Sequence, residues 1–262
     1  MDELHQRLGD VLIQAPAIHD RLLDLGELGP KPGSNALTDL QASRGELVRS
    51  GAIASINSSI DHVVSWAGLF IRAGMLPSFA HYTLLRSAAE GASSARWLVD
   101  PTVDRNERVA RGMGHQLADL IERRKLEQIA IPTGTAESLI RATEGRLADE
   151  RIEELRRDAG AAGLTPVHIT RTDLVARFGV GEFAYRILCA FAHAGLAIPF
   201  AASTRTEPRE PDAGGLRAVT LTGDIEGAIL MSGSVVSLVW HALGEVYAYQ
   251  GYPIDPTPPA AG

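Results

Sequence analysis

The chain has 262 residues, of which 45% are hydrophobic, and a formal net charge of −7. Such a chain can bury a full-sized core, and its one cysteine excludes an intramolecular disulfide. The acidic balance excludes a protein whose whole surface binds nucleic acid, because phosphate binding needs clustered positive charge. The chain lacks a basic start followed by an apolar stretch and a small-residue cleavage site, so we expect a cytoplasmic protein.

The first predicted element is an amphipathic helix over residues 2–25, where apolar residues recur at spacings of three and four. Between Gly26 and Ser34, two prolines and three glycines predict a linker. We treat residues 1–34 as an N-terminal unit. We expect it to pack on the main helical domain, residues 35–251, or on a second protomer.

Two apolar helices are predicted at the start of the main domain. One runs from the forties to Arg72, and the next covers residues 78–99. The second ends at Asp100-Pro101, because the residue before a proline is disfavoured in the helical region. Small residues fill the middle of 78–99, which lets a neighbouring helix approach closely. We therefore expect this helix to lie at the centre of the domain.

Two long polar helices follow, at about 103–130 and 136–159, and a short connection predicts that they form a hairpin. Their charges recur at spacings of three and four, which allows ion pairs within each helix. We interpret residues 103–159 as a protruding, solvated hairpin and as a candidate surface for a protein partner. The charged positions are Arg108, Arg111, Glu122, Arg123, Arg124, Glu150, Arg151, Glu153, Glu154, Arg156 and Arg157.

Three more helices are predicted in the last third of the chain. A short one begins after Thr170 or Thr172, which can cap it, and another begins near Gly181. The last covers about 224–250. Its longest apolar run, Ala228–Trp240, is too short to cross a bilayer, so we expect no membrane contact.

The remaining segments are predicted to be irregular. Residues 202–215 form a long loop rich in proline, glycine and charge, of a length typical of lids. Residues 216–221 alternate weakly, as a short strand does, and the proline-rich tail, 252–262, is predicted to be disordered. The fold class that follows is all-α, a bundle of roughly six to eight helices with a protruding charged hairpin.

The candidate site lies in residues 181–195, GEFAYRILCAFAHAG. Arg186 and His193 are seven positions apart, which predicts that both side chains leave one helix face about 10 Å apart along the axis. Tyr185 is predicted to lean toward the same side. The residues predicted to be buried on the other side are Phe183, Ile187, Leu188 and Phe191.

An arginine followed by a histidine on a late helix of a bundle is similar to the signature of the HEPN superfamily, the higher eukaryotes and prokaryotes nucleotide-binding domain. Two further runs resemble a group of bacterial HEPN-like proteins. One runs from Arg86 to Glu90 and is followed by Arg96-Trp97-Leu98, and the other places Tyr185 before His193. The resemblance implies a HEPN-like helical core.

The resemblance also implies a metal-independent ribonuclease or RNA-binding protein of a toxin or defence type, working as a homodimer without a cofactor. His193 would act as general base toward a 2′-hydroxyl, or as general acid toward the leaving oxygen. Arg186 would bind the scissile phosphate, and Tyr185 would orient either group. Arg86 and Glu90 would support them.

Two other interpretations stay open. In a non-catalytic interaction module, Arg186 and His193 are structural, and Glu90 is the natural partner of the arginine. In a DNA-binding regulator, residues 169–196 are a helix-turn-helix, although the second helix begins with acidic and apolar residues instead of polar residues that read bases.

The histidines indicate no metal centre, because none belongs to a metal-ligand motif. His241 and Glu245 share a helix face, as do His115 and Asp119. The first pair is a candidate lining for a polar pocket at the end of the final helix.

Overall fold

The computed structural model describes residues 3–127, 136–193, 204–205, 221–222 and 224–252. The helices are α1 (Glu3–Leu12), α2 (Ala15–Glu27), α3 (Asn35–Leu40), α4 (Glu46–Ala67), α5 (Ala80–Val99), α6 (Arg105–Glu127), α7 (Ala136–Ala161), α8 (Arg171–Phe178), α9 (Glu182–Ala192) and α10 (Ile225–Tyr249). A π-helical turn, Gly68–Arg72, extends α4. The predicted all-α multi-helix bundle is confirmed.

The predicted N-terminal helix is in fact two helices, α1 and α2. Pro16 lies in the first turn of α2, where its missing N–H is tolerated. In a continuous helix its ring would clash with the preceding turn, so the helix breaks and restarts there. Leu8 and Leu12 of α1 are fully buried, and α1 packs on α10. Of the two predicted positions for the N-terminal segment, the structure shows packing on the bundle.

The central helix is α5, which packs against α4, α8, α9 and α10. Small residues make this possible, since a Cβ added at Gly91 would lie 2.6 Å from the carbonyl oxygen of Ser55 on α4. The hydroxyl of Ser59 also donates to the carbonyl of Ala88 across this contact, at 2.6 Å. The predicted central position of this small-residue helix is confirmed.

The charged helices α6 and α7 pack against each other. Arg124 pairs with Asp149 across them at 3.3 Å, and Arg44 pairs with Asp158 and Glu154 of α7. As the spacing predicts, exposed pairs form along α7, namely Arg146–Glu150, Arg151–Glu154 and Arg156–Glu153.

The prediction of a solvated face is wrong for Arg108 and Arg111, which are 4% and 8% exposed. Arg108 donates to both carboxylate oxygens of the fully buried Asp39 at 2.9 Å, and Tyr249 donates to the same carboxylate. These hydrogen bonds raise the pKa of Arg108. Arg111 donates to the carbonyl of Trp97 and pairs with Asp100. Charge spacing along α6 cannot identify partners that come from outside that helix.

Predicted helix starts agree with the structure. The hydroxyl of Thr170 accepts from the N–H of Asp173 and caps α8, Gly181 precedes α9 with a φ of 87°, and Asp224 precedes α10. Of the short strand predicted at 216–221, only Leu221 lies within the described residues. It belongs to β2 (Leu221–Thr222), which pairs antiparallel with β1 (Thr204–Arg205). The rest of residues 202–220 and the tail after Tyr252 lie outside the described residues.

Helix α10 is long and apolar enough to cross a membrane by length and composition, but 61% of its most apolar window is buried inside the bundle. Trp66 donates from its ring N–H to the buried hydroxyl of Ser232 in this helix, at 2.9 Å. One such helix is weak evidence for a membrane span, because the core helix of a soluble protein passes the same test.

Ala92 of α5 provides a test of the packing, since it is fully buried. Ala92→Leu should lower the free energy of unfolding by about 1–3 kcal/mol, because extra methylenes force neighbours from their preferred positions. Urea unfolding measures this. The same change at the exposed Thr83 of α5 should have a much smaller effect, and equal effects at both positions would contradict the packing.

His81 is fully buried at the start of α5, with its ring centroid 5.0 Å from that of Trp66 and 4.0 Å from that of Tyr82. Burial lowers the pKa of His81 to about 4, and the backbone of Pro77 and the carboxylate of Asp224 oppose this only in part. The imidazole is therefore neutral in the folded protein at neutral pH.

His81 should make the fold sensitive to acid. Between about pH 6.5 and pH 4 the unfolded chain binds a proton that the folded imidazole does not, so stability falls as the pH falls, by roughly 3 kcal/mol at most. Urea unfolding over this range should show that His81→Phe removes much of the loss. The same change at the exposed His19 is the control, and equal pH dependence in the two variants would refute the assignment to His81.

Candidate functional site

The orientation of α9 is set by a buried stripe at three-residue spacing, Tyr185, Leu188 and Phe191. This stripe packs on α5, and the ring of Phe191 stacks on Tyr82 with centroids 3.9 Å apart. His193 follows the last helical residue and donates its N–H to the carbonyl of Cys189. As a result, the phenol of Tyr185 points inward and the imidazole of His193 is exposed.

Two sequence predictions about α9 are therefore wrong. Phe183 was expected to be buried and is 80% exposed, whereas Tyr185 shares the buried stripe of Leu188 and Phe191. The apolar residues of this helix exceed what one face can hold. Packing on α5 selects the stripe that contains Tyr185, because its hydroxyl finds a partner there.

The partner of Tyr185 is Glu90, which belongs to a group of four side chains that we call the Arg86 cluster: Arg86 and Glu90 of α5, Tyr185 of α9, and His193. The Tyr185 hydroxyl donates to Glu90 Oε1 at 2.7 Å, and Arg86 Nε donates to the same oxygen at 2.9 Å. Arg86 Nη1 lies 2.9 Å from His193 Nε2. The cluster therefore runs from a buried phenol to an exposed imidazole.

The electrostatics of the cluster fix its hydrogen-bond roles. Burial, together with the Glu90 carboxylate, raises the pKa of Tyr185, so the phenol stays protonated and donates. Burial alone would lower the pKa of Arg86, but Glu90 and Tyr185 more than offset this and raise it. A guanidinium has only donors, so His193 accepts through Nε2 and, when neutral, carries its proton on Nδ1.

Arg186 lies apart from these contacts. Its side chain is 67% exposed and pairs with Glu182 one turn earlier, at 2.7 Å. No hydrogen bond joins Arg186 to His193 among the described residues. The structure thus brings together four of the five predicted site residues, and Arg86 is the arginine that contacts the histidine.

The Arg86–His193 contact could not be read from spacing, because 107 positions separate the two residues. The sequence analysis named Arg86 and Glu90 as supporting residues, and both contact the predicted site residues Tyr185 or His193 in the structure. Chemically, the pair offers an imidazole nitrogen able to accept a proton beside a cation able to bind an anionic oxygen.

His241 lines a cavity of about 310 Å³ between α5, α10 and the α8–α9 turn, but Glu245, its predicted partner in the lining, is not among the lining residues. Arg96 lines the cavity with His241, but the guanidinium of Arg96 is paired with both carboxylate oxygens of Glu245 at 2.8–3.1 Å. His241 Nδ1 lies 2.7 Å from the carbonyl of Ser237. Within the described ranges, no three His, Cys, Asp or Glu side chains form a group able to bind a metal ion.

Comparison with known proteins found no matching family model, no matching curated protein and no matching solved structure.

Glu90 should stabilise the fold through the Arg86 cluster. Glu90→Gln should lower the free energy of unfolding by about 1–3 kcal/mol, because the hydrogen bonds from Arg86 and the buried Tyr185 lose their charged acceptor. Glu182→Gln is the matched control, since its exposed pair with Arg186 contributes about 0–1 kcal/mol. Chemical denaturation of both variants tests this, and a control that loses as much stability as Glu90→Gln would contradict it.

Proposed function

We propose that this protein binds RNA at the Arg86 cluster and cleaves it without a metal ion. The observation that supports this best is the 2.9 Å contact between Arg86 Nη1 and the exposed His193 Nε2. A proton acceptor beside a phosphate-binding cation is what cleavage by an internal 2′-hydroxyl requires. The resemblance to HEPN proteins supports the same reaction.

In the proposed reaction, the incoming phosphate draws the Arg86 guanidinium away from His193. His193 Nε2 then accepts the proton of the 2′-hydroxyl, whose oxygen attacks phosphorus, while Arg86 stabilises the charge on the phosphoryl oxygens. The bond from phosphorus to the 5′-oxygen breaks, the leaving oxygen takes up a proton from water, and the imidazolium then releases its proton to solvent. The products are a 2′,3′-cyclic phosphate and a 5′-hydroxyl.

Glu90 and Tyr185 are positioning residues in this scheme. Glu90 accepts from Arg86 Nε, which leaves the far side of the guanidinium for the substrate, and Tyr185 fixes the carboxylate. Arg186 lies on the exposed face of α9. Once its ion pair with Glu182 breaks, its guanidinium can bind a neighbouring phosphate of the RNA. We also propose the homodimer that the resemblance to HEPN proteins implies. The exposed Phe183 would supply an apolar contact between the two protomers.

The second candidate function is a non-catalytic interaction module. The mutual pairing of Arg86, Glu90 and Tyr185 favours it, since a guanidinium that already has a carboxylate partner binds phosphate less readily. In this case the cluster only joins α9 to α5, and the exposed charges of α7 are candidates for partner contacts.

RNA cleavage in the presence of a chelator separates the two functions. We expect the parent protein to cleave RNA, and His193→Ala and Arg86→Ala each to reduce the rate about 100-fold or more. His241→Ala, which removes another exposed histidine, should leave the rate unchanged. A substrate with 2′-deoxyribose at the cleavage site should resist cleavage.

Binding is measured on the same samples. Another outcome is that the parent protein binds RNA with an affinity that falls steeply with salt and decreases in Arg86→Ala, and yet does not cleave it. That result would reject the nuclease and support a function in RNA binding alone. If the parent neither cleaves nor binds RNA, while Arg86→Ala only loses stability, the interaction module is the correct function.

A further inference from the structure

A cavity of about 660 Å³ lies between α5, α6 and the segment that leads from α7 into α8, away from the Arg86 cluster. Its volume is that of a pocket for a small organic molecule. Most of its wall is apolar and comes from three parts of the fold. The main apolar side chains are Trp97, Leu117, Ile121, Val167, Ile169 and Leu174.

The walls of this cavity are fixed by close backbone contacts. The N–H of Val167 donates to the carbonyl of Ala110 in α6 at 3.0 Å. Gly114 faces the carbonyl of Val167 so closely that a Cβ at this position would collide with it. The segment before α8 is therefore attached to α6, and the cavity is formed before any ligand arrives.

One side of the cavity carries Arg171, an exposed arginine at the start of α8. Arg171 donates from Nη1 to the buried hydroxyl of Ser94 at 3.3 Å and forms no ion pair with any described residue. His115 lies near it, and burial together with the charge of Arg171 lowers the pKa of His115. A guanidinium and a neutral imidazole thus face the same apolar space.

The carboxylates at the cavity do not neutralise Arg171. Asp119 and Glu122 are exposed on α6, and Glu122 is paired with Lys125 at 2.6 Å. Arg171 is exposed as well, and the carboxylate of Asp119 opposes only in part the lowering of the His115 pKa by burial and by Arg171. The Arg171 guanidinium, which is exposed and has no ion pair among the described residues, can bind an anionic oxygen of a ligand that enters the cavity.

We infer that this cavity binds a small apolar anion, an organic carboxylate or sulfonate whose hydrocarbon body fills the space and whose charged group contacts Arg171. This site is independent of the proposed RNA function, since it shares no residue with the Arg86 cluster. The sequence places His115 and Asp119 on one face of α6, and both residues line this cavity.

Two dyes with one aromatic skeleton test the inference. 8-Anilino-1-naphthalenesulfonate carries the anionic group, N-phenyl-1-naphthylamine lacks it, and both fluoresce when they enter an apolar site. We expect the full-length protein to bind each dye at one site. Arg171→Gln should weaken binding of the sulfonate about tenfold and leave binding of the neutral dye unchanged.

Two further variants complete the experiment. Ala118→Phe fills the cavity and should weaken both dyes, whereas Arg177→Gln, an exposed arginine of α8 outside the cavity, should change neither. Equal sulfonate affinity in Arg171→Gln and Arg177→Gln would overturn the charged contact. Full affinity for both dyes in a folded Ala118→Phe variant would overturn the site itself. If Ala118→Phe does not fold, the arginine pair alone decides.

Discussion

The close contact between α4 and α5 is the constraint on which the rest of the structure depends. Gly91 leaves no space for a Cβ beside Ser55, so the two backbones touch where larger residues would separate them. With α4 so near, α5 still has faces left for α8, α9 and α10. Each of the two proposed sites lies beside one of these faces: Arg86 contacts His193 beside α9, and Ser94 contacts Arg171 beside α8.

Buried charge joins the remaining helices to this centre. Asp39 of α3 accepts from Arg108 of α6 and from Tyr249 of α10, so one carboxylate connects three helices. Removal of one partner lowers the free energy of unfolding far more than replacement of the whole group by apolar residues, because the removal leaves a buried charge without its partner. Loss of any one of these three side chains should therefore destabilise the contact between α3, α6 and α10.

Sequence patterns predicted the structural features that are set by residues near one another in the chain. Thr170 and Gly181 mark helix starts through local backbone chemistry, and the small residues of α5 report a close contact wherever the partner comes from. The patterns failed where the partner is distant in sequence. The spacing along α6 predicts that Arg108 is a surface charge, whereas the structure pairs it with the buried Asp39. The spacing along α9 predicts that Arg186 acts with His193, whereas His193 contacts Arg86. Spacing defines a helix face, but tertiary packing decides what that face meets.

We propose that Glu90 holds Arg86 against His193 and so makes Nε2 a proton acceptor. Nitrogen-15 NMR of the imidazole, at a pH where it is neutral, tests this directly. We expect His193 to carry its proton on Nδ1 in the parent protein and to shift toward the Nε2-protonated form in Arg86→Gln. A parent protein already protonated on Nε2, or a tautomer that Arg86→Gln leaves unchanged, would contradict it.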